Sequence, residues 1–72
     1  MTATPLPALP PPHLRRHYRE QMGLTLQQAA DLLTVSSRAV HRWEKGTTPT
    51  PGNQRRYAAL LQVWEKKINN NT

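Results

Sequence analysis

The stretch SSRAVHRWEKG, Ser36 to Gly46, carries two arginines, a lysine, a histidine and a tryptophan. At 100° per residue, Arg38, His41, Arg42 and Lys45 fall on one face of a helix. Ala39, Val40 and Trp43 fall on another. The helix would have a dry side and a wet, cationic side. The chemistry open to the wet side is charge-assisted hydrogen-bond donation to acidic oxygens and to base edges. Bond-making chemistry is not expected. The chain has no cysteine thiol, no carboxylate pair in register and no phosphate-cradling glycine loop, so it reads as a non-enzyme. His13 and His17 are spaced i, i+4 but lack a third ligand nearby, so neither a metal nor a cofactor is expected.

Charge and size point the same way. Ten Lys+Arg against four Asp+Glu give +6 over 72 residues, and the pI is about 10.9. That is the electrostatic footprint of a nucleic-acid binder. The length allows one small domain with a thin stability margin. Without cysteine there is no disulfide or thiolate zinc staple, and a cytoplasmic location fits. No apolar run approaches the roughly 18 residues of a membrane span. The opening MTATPLPALPPP has no basic region and too many prolines for a signal peptide.

Four helices must position the cationic face. Residues 1–12 hold five of the seven prolines and no charge, and read as a flexible leader. A docking ligand for an aromatic groove is the second reading of that leader. Helix 1 is expected from Pro12 to Met22, with Leu14 and Tyr18 as its buried stripe and Gly23 as its stop. Helix 2 starts at Thr25, with Gln28 at capping-box spacing, and continues through Ala29, Ala30, Leu32 and Leu33. Ser36 caps helix 3 and Gly46 ends it. TTPTPGN is a loop, and Thr50-Pro51 opens helix 4, expected to reach Ile68. Tyr57, Leu60, Leu61, Trp64 and Ile68 form its apolar face. Residues 69–72 read as a frayed tail. The domain is thus 13–68, all-α, with no strand pattern and no repeat.

Only Thr34 and Val35 separate helix 2 from the cap of helix 3, which is the spacing of a helix-turn-helix. There the second helix enters the major groove, about 12 Å wide, and the first crosses the backbone. LTLQQAADLLTVSSRAVHRWEKG resembles the Cro/C1-type, or xenobiotic-response-element, helix-turn-helix family. The matching pieces are Gly23-Leu24-Thr25, Ala30, Val35-Ser36, Val40 and Trp43-Glu44-x-Gly46, and the likeness covers about residues 14–61. It implies a small lambda-repressor-like domain. It implies base contacts from Ser37, Arg38, His41 and Arg42. It implies backbone contacts from Thr25, Gln27, Ser36, Lys45, Thr47, Thr48 and Arg55. It also implies an internal ion pair between Arg19 and Glu44. Three departures stand out. Leu26 occupies a position where the family usually has a phosphate-binding glutamine. Thr34 occupies one that is often glycine. One long helix 4 replaces the usual helices 4 and 5.

The function expected is sequence-specific binding of double-stranded DNA by a transcriptional regulator, a repressor or autorepressor. It would act as a homodimer on an inverted-repeat operator, in a phage, plasmid, toxin–antitoxin or anti-CRISPR-associated setting. The alternative is a protein-interaction module, antitoxin-like or partner-docking, whose basic face is secondary. No membrane partner is expected. Trp43 shares a face with Val40 and reads as core. The helix 4 stripe outruns the core that residues 14–45 can supply, so Leu61, Trp64 and Ile68 are expected at a subunit contact, with a cap over the chain's own core as the other reading of Trp64.

Overall fold

The computed structural model describes residues 7–70. They form four helices: α1 (Pro12–Gln21), α2 (Leu26–Leu33), α3 (Ser37–Glu44) and α4 (Pro51–Asn70). Among the described residues there is no strand. Each boundary has a local cause. Pro12 occupies the first helical turn of α1, where a missing N–H costs nothing. Gly23, at φ +72°, turns the chain after it, its N–H donating to the Glu20 carbonyl at 3.0 Å. At the start of α2, Thr25 Oγ1 accepts from the Gln28 N–H at 3.1 Å, and Gln28 Oε1 accepts from the Thr25 N–H at 2.8 Å. Ser36 Oγ accepts from the Ala39 N–H at 3.1 Å and starts α3. α4 continues two residues past the expected Ile68 to Asn70, so half of the expected frayed tail is helical. The other half lies outside the described residues.

α2 packs on α3, and α1 lies across both α3 and α4. Ala29 and Ala30 have no exposed surface, and their small size lets the neighbouring helices approach closely. Leu33, Val40, Trp43, Tyr57, Leu61 and Trp64 complete the core. The Trp43 and Tyr57 rings meet at 5.0 Å with planes tilted by 41°, an arrangement that aromatic quadrupoles favour over flat stacking.

Two expectations change here. Leu61 and Trp64 are only 2% and 3% exposed in the single chain, so neither offers a surface to a second subunit. Ile68 is half-buried. The cover comes partly from the proline-rich segment, expected to be a flexible leader. Its first six residues lie outside the described ones, but residues 7–11 have defined partners. Leu9 packs against the core, and Gln54 Nε2 donates to the Pro7 carbonyl at 2.9 Å. Ala8, Leu9 and Pro10 face Ala58, Leu61, Gln62 and Glu65 of α4 across a shallow cleft. Proline suits this strap, because five-residue coverage of a helix needs an extended chain with few donors to satisfy.

The turn between α2 and α3 also carries a cost. Thr34 adopts φ 58°, ψ 45°, a left-handed conformation that disfavours a β-branched residue. Its N–H donates to the Asp31 carbonyl at 3.3 Å and the Val35 N–H to the Ala30 carbonyl at 3.0 Å, so the turn is held although strained. The Thr34 side chain is exposed and its loss removes no packing. Left-handed backbone costs an L-residue about 1–2 kcal/mol, and glycine's extra unfolded-state entropy offsets about half of that. Thr34→Gly should therefore raise stability by about 0.5–1 kcal/mol, or roughly 2–8 °C in a thermal melt. A melting temperature at or below wild type would show that the turn stores no strain.

Tyr57 yields a second expectation. Its ring is buried, and its hydroxyl has no hydrogen-bond partner among the described residues. Burial pushes the phenol up to about 12, with the Glu44 carboxylate acting in the same direction. The folded state therefore resists ionisation more than the unfolded chain, whose tyrosine titrates near 10. The stability this contributes is complete below about pH 10 and is lost as pH rises toward 12. Tyr57→Phe should match or slightly exceed wild-type stability at neutral pH, since an unpaired buried hydroxyl is removed. It should also lose less stability between pH 10 and 12, as urea midpoints across that window will show. Parallel alkaline profiles for the two proteins would mean that the hydroxyl is solvated.

Candidate nucleic-acid interface

α3 divides its surface as its sequence periodicity requires. Val40 and Trp43 are 1% and 6% exposed, whereas Arg38, His41, Arg42 and Lys45 are exposed and Ser37 is half-buried. The cationic side chains need no intrachain acid: among the described residues the ion pairs are Arg16–Glu20 and Arg19–Glu44. Four guanidinium, imidazole or ammonium groups thus stand along one helical stripe, free to donate outward.

Both ends of α3 are fixed. At the start, the Ser36 hydroxyl accepts from the helix with a lone pair and keeps its own O–H to donate. The same holds for Thr25 at the start of α2. Each hydroxyl sits beside the positive end of a helix, where a phosphate oxygen is favoured. At the far end, two arginines one turn apart on α1 grip α3. Arg19 Nε and Nη2 donate to the two Glu44 carboxylate oxygens at 2.6 and 3.1 Å, a bidentate pair. Its Nη1 donates to the Leu24 carbonyl at 2.8 Å, which ties the α1–α2 connection to the same point. The Glu44 hydrogen bonds hold the Arg19 guanidinium pKa above its ordinary value, against the opposing effect of burial. The side chains are 11% and 4% exposed, so this pair is shielded from solvent.

Arg15 is the residue that sequence reasoning missed. It is buried, at 9% exposure, and has no carboxylate partner among the described residues. Nη1 donates to the Trp43 carbonyl at 2.8 Å and Nε to the Pro10 carbonyl at 2.7 Å. The signal was present: Arg15, Tyr18, Arg19 and Met22 lie at i, i+3, i+4 and i+7, one stripe that includes the expected buried Tyr18 and the expected paired Arg19. A cation at the C-terminal carbonyls of α3 also meets the negative end of that helix dipole.

The remaining expected contacts are distributed around this unit. Lys45, Thr47 and Thr48 are exposed just past α3, and Arg55 is exposed in the first turns of α4. Gln27 is exposed, although its amide donates to Asp31 Oδ1 at 2.8 Å along α2. Leu26 is half-buried and packs against the core, so a position without a polar group contributes packing instead. It lines a cleft of about 240 Å³ with Arg16, Arg19, His41, Glu44 and Lys45, between α1, the start of α2 and the end of α3. Among the described residues no group of three or more His, Cys, Asp or Glu is placed to hold a metal. No described helix is long and apolar enough to cross a membrane.

Comparison with known proteins gives one result. A family model described as "Helix-turn-helix" matches residues 16–63, two thirds of the chain. No curated protein and no solved structure matches.

The grip on α3 can be measured. Removing one partner of a buried, hydrogen-bonded pair strands the other charge and costs about 3–5 kcal/mol. That is a large share of the stability of a small domain. Glu44→Ala should therefore unfold at a much lower urea concentration than wild type. Arg19→Ala should do the same, and the double variant should be less destabilised than the two single losses added together. Strict additivity would show that the two groups do not act on each other.

Proposed function

This chain belongs to the Cro/C1-type helix-turn-helix family, a family of DNA-binding regulatory domains, and from that premise we propose that it is a sequence-specific repressor. α3 lies in the major groove, with Ser37, Arg38, His41 and Arg42 toward base edges. Thr25, Gln27, Ser36, Lys45, Thr47, Thr48 and Arg55 approach the phosphates on either side. The observation that carries this reading is the stripe on α3: its cations are exposed while its other face is buried and its two ends are pinned. A rigid helix presenting donors at fixed spacing can discriminate base patterns, whereas mobile cations would bind phosphate without preference.

A single module of this size covers limited DNA, so tight binding calls for two copies on an inverted repeat. Half-sites one helical turn apart, about 34 Å, would place both copies on the same face of the duplex. Leu61 and Trp64 are enclosed within each chain, so the copies are brought together chiefly by the DNA. Occupancy then rises steeply with protein concentration, as suits a protein that represses its own synthesis. The chain acts in the compartment that holds its DNA, the cytoplasm.

Selection from random duplexes, followed by binding to the selected site, tests the proposal. Arg38→Ala and Arg42→Ala should each cost about 1–3 kcal/mol and relax the preference at one base position. Lys45→Ala and Arg55→Ala should weaken binding to all duplexes alike and reduce the salt slope by about one each. If selection yields no preferred sequence, or if both arginine variants bind the selected site as wild type does, α3 is not a reading helix.

A further inference from the structure

The large apolar side chains left exposed among the described residues are Leu32, at 59%, and Val63, at 47%. Both line one shallow groove of about 350 Å³ between α2 and α4, with Leu33, Ala59, Leu60 and Arg56. No residue of α3 lines it, and neither does any side chain proposed above to meet DNA. Its surface is therefore available to the DNA-bound protein.

The charge around the groove says what fits it. Along α4, Arg56, Ala59, Leu60, Val63 and Lys67 lie at i, i+3, i+4, i+7 and i+11, a single stripe. Ala59 leaves a depression in the middle, and a cation stands at each end. Arg56 is oriented by Asn53, its Nη2 donating to Oδ1 at 2.5 Å, and no carboxylate among the described residues pairs with it. The acidic side chains are engaged or placed elsewhere. Glu20 pairs with Arg16, Glu44 with Arg19, Asp31 accepts from Gln27, and Glu65 faces the proline-rich strap.

We propose that this groove docks an acidic amphipathic helix of another protein. Its apolar anchors would lie over Ala59 between Leu32 and Val63, and its carboxylates would meet Arg56 and Lys67. A helix in a groove between two helices is a recurrent recognition mode, read by anchors at i, i+3 or i+4 and i+7. A second copy of this chain suits the groove poorly. An antiparallel two-fold pairing of the stripe sets Arg56 against Lys67 of the other copy, and a parallel one sets Arg56 against Arg56. Each copy also brings a net charge of +6. The occupant therefore supplies what this chain lacks on that face, namely apolar anchors flanked by negative charge.

The test uses two designed helical peptides with the same leucine stripe, one flanked by glutamates and one by lysines. Each is titrated into the isotope-labelled full chain while amide shifts are followed. The glutamate-flanked peptide should shift Leu32, Ala59 and Val63 and bind about tenfold tighter than the other. Leu32→Gln, at an exposed position, should weaken it about tenfold while the melting temperature and DNA binding stay as in wild type. Arg56→Glu combined with Lys67→Glu should reverse the order of the two peptides. Shifts centred on α3, equal affinity for both peptides, or no binding at millimolar peptide would overturn the proposal. So would a wild-type dimer in sedimentation that Leu32→Gln dissociates, which would assign the groove to a second copy. Since Leu32→Gln leaves the DNA-facing stripe intact, either result stands apart from the outcome of the DNA experiment.

Discussion

Arg15 and Arg19 hold the C-terminal end of α3, and most of the architecture depends on that grip. An eight-residue helix is not stable alone, because nucleation consumes most of what its few hydrogen bonds return. α3 therefore takes its stability and its direction from outside. The two guanidinium groups reach it from one face of α1, Arg15 at the Trp43 carbonyl and Arg19 at the Glu44 carboxylate. Each also holds a second segment: Pro10 for Arg15, Leu24 for Arg19. Four parts of the chain meet at one helix end. Arginine suits the task, because its planar fork donates in several fixed directions and stays charged when buried.

The same grip accounts for the cover over α4. With Pro10 fastened to Arg15, the strap before it runs beside α4, where Leu9 reaches the core near Leu61. The helix-turn-helix is thus completed by the segment that precedes it. That leaves two surfaces with different chemistry. The α3 stripe is cationic and free of apolar side chains, whereas the α2–α4 groove is apolar, with Arg56 in its lining and Lys67 one turn beyond Val63 on the same α4 stripe. The division follows from packing, since each helix buries one face and can display only what remains.

Strain and unmet bonding lie close to the working parts. Thr34 sits in a left-handed conformation at the turn that sets the angle between α2 and α3. The Tyr57 hydroxyl is buried against the same core without a partner among the described residues. Well-packed neighbours hold both: Ala29, Ala30 and Val40 around the turn, Trp43 beside the tyrosine ring. Local costs of this size persist only where the surroundings determine the geometry more strongly than the residue itself does.

The sequence by itself determined the helices and the wet and dry sides of α3. Capping at Thr25 and Ser36, glycine stops at Gly23 and Gly46, and the placing of Val40 and Trp43 all depend on residues within a turn or two. Such neighbours share a fixed geometry whatever the rest of the chain does. The resemblance carried by Trp43-Glu44-x-Gly46 placed Glu44 opposite Arg19 as well, although spacing alone could not. Only the tertiary structure decided the role of Arg15, whose two acceptors lie 5 and 28 positions away. It alone decided that the proline-rich segment lies along α4 beside Leu61, since the bond from Gln54 to Pro7 spans 47 positions. Leu32 and Val63 likewise share a groove only because α2 and α4 are brought side by side. Periodicity says which face of a helix is apolar. It does not say which distant segment, if any, will come to lie on it, because that depends on the path of the whole chain.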